Sequence, residues 1–188
     1  EEFLNTTLTV TGRKVAVFDC DGTVFGQAPY YLADEALYDY ADKKYKNRKD
    51  KESRQKMAIL DRMVKDGNNV GKPYVEDRVH FLSGMTPEEI ATLGYDCYMR
   101  SYKGKMYPEM KTLISNLKEY GFEVWILTAS PEFLYQRFVA SELGIPVTHV
   151  LGVKGVVKNG VMSDEIIMPM PQDDGKAQVI PTYIKAVP

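Results

Sequence analysis

Lys14-Val15-Ala16-Val17-Phe18-Asp19-Cys20-Asp21-Gly22-Thr23 is the stretch from which the fold of this chain is read. Residues 14–18 read as a short, fully buried strand, apolar on both faces after Lys14 and with β-branched Val15 and Val17. The run stops at two aspartates one residue apart. In an extended chain, side chains at i and i+2 point to the same side, so Asp19 and Asp21 can converge on one small volume. Two carboxylates crowded together repel unless a cation or a shared proton relieves them. Such a pair at the end of a buried strand points to a functional site.

Composition bounds the rest. The chain has 188 residues, which suits one core domain plus a sizeable insertion, or two small domains. Its 24 basic and 26 acidic side chains leave a formal charge of −2. With a pI near 5.8, there is no global electrostatic case for a nucleic-acid partner. At 44% hydrophobic and 27% charged residues, it has the make-up of an ordinary soluble globular protein. Nothing approaches the roughly 18 consecutive apolar residues of a membrane span, so no membrane partner is expected. The two cysteines, Cys20 and Cys97, are expected to be free thiols, because a bridge at Cys20 would distort the acidic motif. So few cysteines do not identify a compartment. With Glu1 first and no methionine, a processed or trimmed N-terminus is expected, compatible with a cytoplasmic or an exported, periplasmic location. The oligomeric state is not legible.

Past Thr23 the pattern changes. From about Gly26 to Tyr107 the chain is rich in Tyr, Lys and Asp, with helical spacing. Ala33, Leu37 and Ala41 recur at four-residue intervals, as do Leu60 and Val64 with Met57 and Met63 beside them. Asp66-Gly67-Asn68-Asn69 breaks that second helix, and a third starts at Thr86-Pro87-Glu88-Glu89 with the signature of a capping box. A further helix follows Tyr107-Pro108, with Met110, Leu113, Ile114 and Leu117 as its stripe and Gly121 as its cap. Then comes a second buried strand, Phe122 to Leu127, ending at Thr128-Ala129-Ser130-Pro131, where Ser130 and Pro131 read as an N-cap and first turn. That helix is expected to end near Gly144. A third strand is expected at His149-Val150-Leu151, and a hairpin around Asn159-Gly160. After the proline-rich linker Met168 to Pro171, a short helix carries Lys176 until Pro181 interrupts it. Alternating strands and helices predict an α/β fold, a Rossmann-like parallel sheet covered on both faces. The block between the first two strands is too long for a simple crossover and reads as a helical insertion over the strand ends. The expected division is a core of residues 1–25 and 105–188, with 26–104 as a helical cap.

Ligands in open α/β sheets bind at the carboxyl ends of the strands. Asp19, Asp21, Thr128 and Lys176 all fall at such ends or in adjoining helices. A carboxylate nucleophile, a hydroxyl donor, a cation and turn amides suit a phosphoryl group, whose transfer needs in-line positioning and neutralised oxygens. The hydrophobic strand followed by Asp-x-Asp-Gly-Thr, then Val-Trp-Ile-Leu-Thr-Ala-Ser-Pro, then Gly175-Lys176, resembles the haloacid dehalogenase superfamily in residue type and order. The Thr-Ala-Ser-Pro segment and the Asn-Gly hairpin are most similar to its phosphoserine phosphatase and phosphorylcholine phosphatase groups. The insertion resembles the helical cap that many members place after the first motif.

The resemblance implies a Mg²⁺-dependent phosphatase acting on a small phosphorylated metabolite. Asp19 would attack phosphorus and form an aspartyl-phosphate. Asp21 would protonate the leaving oxygen and then deprotonate the attacking water. Thr128 and the amides near Asp21, Gly22 and Ala129 would hold phosphate oxygens, and Lys176 would stabilise Asp19. Mg²⁺ would bind the Asp19 carboxylate and the Asp21 main-chain carbonyl. The resemblance also implies that dehalogenases lack the second aspartate, since a halide leaving group needs no proton, and that P-type ATPases carry Thr there. Asp21 therefore favours phosphomonoester hydrolysis. In one respect the chain departs from the family: the acidic loop that supplies the remaining metal carboxylates should follow Lys176, after which only twelve residues remain. Asp173 and Asp174 precede the lysine. Taken as it stands, the chain is expected to bind Mg²⁺ weakly and turn over little. Phosphoryl transfer to another hydroxyl, as in a mutase, and non-catalytic binding of a phosphorylated ligand are the alternatives.

Other features have plainer readings. An EF-hand would need Gly and Glu where Val24 and Tyr30 stand. The lysines and Arg48 between residues 43 and 51 are interspersed with acids and read as a solvated face. Tyr30, Tyr31, Tyr38, Tyr95 and Tyr98 could cage a cation but fit amphipathic packing better. His80 and His149 have no metal-ligand spacing and read as structural.

Overall fold

A computed structural model describes residues 2–185 of the protein; residue 1 and residues 186–188, the outer limits of the expected core, lie outside the described residues. One sheet contains β1 (Lys14–Phe18), β2 (Phe122–Pro131), β3 (Val150–Lys158) and β4 (Val161–Ile167), in that spatial order. The first three strands are mutually parallel, while β4 returns antiparallel to β3. The fold is thus α/β with a mostly parallel sheet, not a wholly parallel one. The antiparallel edge comes from Asn159-Gly160, whose φ angles of +52° and +83° are those a type I′ hairpin requires. The expected hairpin forms, with Lys158 opposite Val161.

Period-two alternation sends Ala16, Phe18, Val124 and Ile126 into a large core shared with the helices. Val15, Val17, Trp125, Leu127 and Leu151 pack on the other face, against Val179 and Ile184. β1 is not the fully buried strand its composition suggests: all five of its residues are only partly buried. It is the sheet edge, paired with β2 alone among the described residues.

A short helix, α1 (Glu2–Thr6), precedes β1, and between β1 and β2 lie α2 (Leu32–Lys44), α3 (Lys51–Asp66), α4 (Lys72–Leu82) and α5 (Pro87–Cys97). In α3 the Asp50 carboxylate accepts the Ser53 amide at 2.9 Å, and Gly67 closes the helix with φ +66°. Leu60 and Met63 face inward, whereas Val64, expected in the apolar stripe, is 67% exposed. It sits about 100° round the helix from Met63 and so faces solvent. The α5 capping box is formed, with Thr86 Oγ1 accepting from the Glu89 amide at 3.2 Å and Glu89 accepting from the Thr86 amide at 2.7 Å. Helix α4 lies between the second and third helices anticipated from sequence and was not anticipated itself. Its buried face carries an arginine, Arg78, among Tyr74, Val75, Val79, Phe81 and Leu82, which interrupts the apolar stripe by which a helix is read. The lysine and arginine run is exposed as expected, apart from a half-buried Lys44.

Helix α6 (Pro108–Glu119) leads into β2, with Ile114 and Leu117 buried and Leu113 half-exposed. Ser130 and Pro131 do not open the next helix. β2 extends through them, and α7 (Glu132–Leu143) begins one residue later with no side-chain cap, ending at Gly144 as expected. Ser130 keeps its amide for Thr128 Oγ1, at 3.2 Å. β3 starts at Val150 and runs on to Lys158, because His149 belongs to the preceding 3₁₀ turn. Helix α8 (Gly175–Val179) carries Lys176, and the chain passes through Pro181 in π-type turns from Ile180 to Lys185 rather than stopping there. Cys20 and Cys97 are free and buried.

Two contacts tie the helical block together. Arg78 of α4 donates Nε and Nη2 to the two oxygens of Asp34 of α2, at 2.8 and 2.9 Å, with both side chains 3% exposed. Helix α5 meets α7 so closely that a Cβ on Gly94 would fall 1.8 Å from the Leu134 carbonyl oxygen. Gly94→Ala is therefore expected to cost about 1–3 kcal/mol through backbone displacement, read as a lower urea midpoint. Asp34→Ala, which strands a buried guanidinium, is expected to cost about 3–5 kcal/mol in the same assay. Unchanged midpoints would contradict the packing described here.

Candidate active site

The site is built on the register of β1 and β2. Phe18 pairs with Ile126, the last pair of the two strands, so Asp19 just past β1 and Thr128 in the irregular final part of β2 come to the same carboxyl edge. Just beyond β1 the chain turns back on itself. The Cys20 carbonyl accepts the Thr23 and Val24 amides, and the Gly22 amide donates to the Phe25 carbonyl at 2.8 Å. Gly22 has φ +75°, and a Cβ there would lie 2.6 Å from Gln27 Oε1, so the turn requires glycine. Cys20, between the aspartates, points into the core with 0% exposure, and burial pushes its thiol well above its ordinary range.

Lys176 reaches this edge from the far end of the chain. Its Nζ lies 2.6 Å from Asp19 Oδ1, and the two side chains are 33% and 40% exposed. Position 175 must be glycine for this approach, since a Cβ there would sit 1.9 Å from the Met170 carbonyl oxygen. Thr128 is 1% exposed, and because Oγ1 already accepts from the Ser130 amide, its own proton is left to donate. The β2–β3 register is interrupted between Leu127 and Pro131, where Thr128 and Ala129 line the cavity.

Asp21 is more buried than Asp19. Its carboxylate accepts from the Tyr135 hydroxyl at 2.8 and 3.0 Å and from the Leu32 amide at 3.4 Å. Burial raises its pKa to about 6 against the opposing pull of these donors, chiefly Tyr135. A carboxyl poised there can both give and take a proton near neutral pH.

These groups surround a cavity of about 250 Å³ at the sheet edge, beneath the helical block. Asp19, Asp21, Thr128, Ala129 and Lys176 all line it, as do Tyr31, Asn69 and Arg78 from the insertion. Gly22 does not line it; its amide is taken by Phe25, and it serves the turn. The Arg78 guanidinium packs over the rings of Tyr31 and Tyr74, 5.7 and 5.0 Å from their centroids. The five tyrosines considered as a cage do not gather there. Tyr98 is fully buried and stacks on Phe138, and only Tyr31 reaches the cavity. His149 stacks on Trp125 away from the site.

For a divalent cation, the Asp19 carboxylate keeps one oxygen beyond the Lys176 contact, and the Asp21 main-chain carbonyl two residues on is the second expected donor. Among the described residues there is no cluster of three or more His, Cys, Asp or Glu able to hold a metal. Two hard oxygens nonetheless suit Mg²⁺, which commonly takes one or two protein carboxylates and completes its shell with water and substrate phosphate.

Tyr135, Arg78 and Gln172 were not among the sequence candidates. None of the three left a signal: Arg78 sits in the charged run Glu76-Asp77-Arg78 and reads as surface. Tyr135 lies in a helix of ordinary amphipathic appearance, and Gln172 lines the cavity from the linker before Lys176.

The fold recurs in known structures. A crystal structure of a protein with unknown function from Bordetella pertussis Tohama I superposes with a TM-score of 0.71 at 16% identity, over 93% of this chain and 75% of that one. A structure described as a phospho-aspartyl intermediate analogue of phosphoserine phosphatase gives 0.53 at 14% identity, over 93% and 72%. A haloacid dehalogenase family hydrolase from Salmonella enterica serovar Typhi gives 0.57 at 17% identity, over 89% and 49%. No curated protein matches the chain in sequence. The haloacid dehalogenase-like hydrolase family matches residues 16–186, from within β1 past the lysine-bearing helix, and the chain belongs to that family.

Proposed function

We propose that this protein is a Mg²⁺-dependent phosphomonoester hydrolase that acts on a small phosphorylated metabolite through an aspartyl-phosphate on Asp19. The observation that carries the reading is the pairing of unlike carboxyls. Asp19 is exposed to the cavity and held by Lys176, while Asp21 is buried beside it with its pKa raised to about 6. One is set up as a nucleophile and the other as a proton carrier.

Asp19 attacks phosphorus in line with the leaving oxygen, and Lys176 keeps the carboxylate charged and oriented. Thr128 donates its free hydroxyl proton to a phosphoryl oxygen, and the strand end at Ala129 offers a second donor. Asp21 protonates the leaving oxygen, then takes a proton from the water that releases phosphate. Asp19 and the Asp21 carbonyl would hold Mg²⁺, whose charge offsets that on the phosphoryl oxygens. Residues 26–104 form the cap in this reading, and 1–25 with 105–188 form the core. Supporting this division, the two connections run side by side, with the Gly26 amide donating to the Lys105 carbonyl and the Tyr107 amide to the Val24 carbonyl. The cavity volume of about 250 Å³ suits a small substrate.

The full-length protein is expected to hydrolyse p-nitrophenyl phosphate with Mg²⁺ and to lose the activity on chelation. Asp19→Asn is expected to lower kcat by at least about 1,000-fold. An Asp19→Asn protein with wild-type turnover would refute the nucleophile assignment.

A further inference from the structure

One side chain outside the family motifs touches the proton carrier directly. Tyr135, on α7, is fully buried, and its hydroxyl donates to Asp21 Oδ2 at 2.8 Å and Oδ1 at 3.0 Å. The same oxygen accepts the Ala33 amide at 3.3 Å. An oxygen already accepting that N–H turns its own proton to the carboxyl, which fixes the polarity of the chain Ala33 to Tyr135 to Asp21. From the other side, the Leu32 amide reaches Oδ1 at 3.4 Å. Leu32 and Ala33 are the first residues of α2, whose leading N–H groups have no partner within the helix. Asp21 is thus gripped between a core helix and the first turn of the helical insertion.

We propose that Tyr135 is a positioning residue that holds the Asp21 carboxyl in the orientation both proton transfers need. The proposal rests on the phosphomonoesterase reading above. The one Tyr135 proton is shared between the two oxygens and the Leu32 amide adds to Oδ1, so among the described residues Oδ2 is the oxygen with less donation and the one assigned the transferable proton. In the first half-reaction the Asp19–phosphorus bond forms and the ester P–O bond breaks as the proton passes from Oδ2 to the leaving oxygen. In the second, water loses a proton to Oδ2 and bonds to phosphorus, and the Asp19–phosphorus bond breaks. Ester and water become alcohol and phosphate, and Asp21 ends protonated as it began. Without the Tyr135 hydroxyl, the longer Leu32 contact is the one hydrogen bond left to orient the carboxyl among the described residues.

A purely structural tyrosine would affect all substrates alike, whereas a positioning one would not. The test compares Tyr135→Phe with wild type in the full-length protein, using p-nitrophenyl phosphate and glycerol phosphate. The nitrophenolate leaves without a proton; the glycerol alkoxide needs one. For glycerol phosphate, kcat/KM is expected to fall about 10- to 100-fold. For the aryl ester, kcat/KM is expected to hold within about twofold while kcat and KM fall together, because only the second half-reaction still needs Asp21. Equal losses of kcat/KM on the two esters, or none on either, would overturn the proposal. In an Asp21→Asn background, adding Tyr135→Phe should leave the first turnover of the aryl ester unchanged, and a further loss would overturn it as well. That pair serves if Tyr135→Phe alone does not fold, since the amide relieves the buried carboxylate. A wild-type protein that hydrolyses neither ester overturns the phosphatase reading and the positioning role together. Equal losses overturn the role alone.

Discussion

The parallel pairing of β1 with β2 is the constraint on which the rest of the site depends. Five residue pairs, Lys14 with Phe122 through Phe18 with Ile126, bring together strands more than a hundred residues apart. Because register is discrete, the pairing leaves Asp19 and Thr128 side by side at one edge. A slip of β1 by one residue would turn Val15 and Val17 out of the small cluster they share with Trp125 and Leu127 and into the large core. The two hydrophobic faces of the sheet thus lock the geometry of polar groups that contribute nothing to either.

The buried carboxylates are handled in three ways around this framework. Asp34 is matched by the fork of Arg78, two strong bonds on a single partner. Glu132, at the start of α7, takes Lys154 at 2.5 Å and the Gly152 amide at 3.2 Å. Among the described residues, the hydrogen bonds to Asp21 come from neutral donors, the Tyr135 hydroxyl and a backbone amide, and Arg78 acts on it through space alone. A full cation beside a buried carboxylate would drive it permanently ionised, whereas neutral donors orient it and leave its proton exchangeable. That difference separates the structural acids from the one suited to proton transfer. Asp19, open to the cavity and paired with Lys176, sits at the opposite extreme.

The helical insertion is bound to the core at several points. Helix α5 lies against α7 at Gly94, and the first turn of α2 reaches Asp21 directly and through Tyr135. The loop between α3 and α4 is tied across the cavity mouth, where Gln172 Nε2 donates to the Val70 carbonyl at 2.5 Å. The block that covers the cavity therefore also supplies donors to the chemistry beneath it.

Local pattern carried much of this organisation. The strand ending in Asp19 and Asp21, the capping box at Thr86, the Asn159-Gly160 hairpin and the order of Asp, Thr and Lys were legible because each depends on residues a few positions apart. What escaped depended on distant partners. Val64 reads as core until the fold places Met63 inward, and nothing local shows that the Arg78 in the buried stripe of α4 is matched by Asp34, 44 positions earlier. β1 read as buried because composition does not reveal whether a strand has one neighbour or two. By itself, then, the sequence determined the candidate acid, nucleophile, hydroxyl and cation. Only the tertiary structure decided that Tyr135 and the first turn of α2 converge on Asp21, because a hydrogen bond across 114 positions leaves no local trace in the chain.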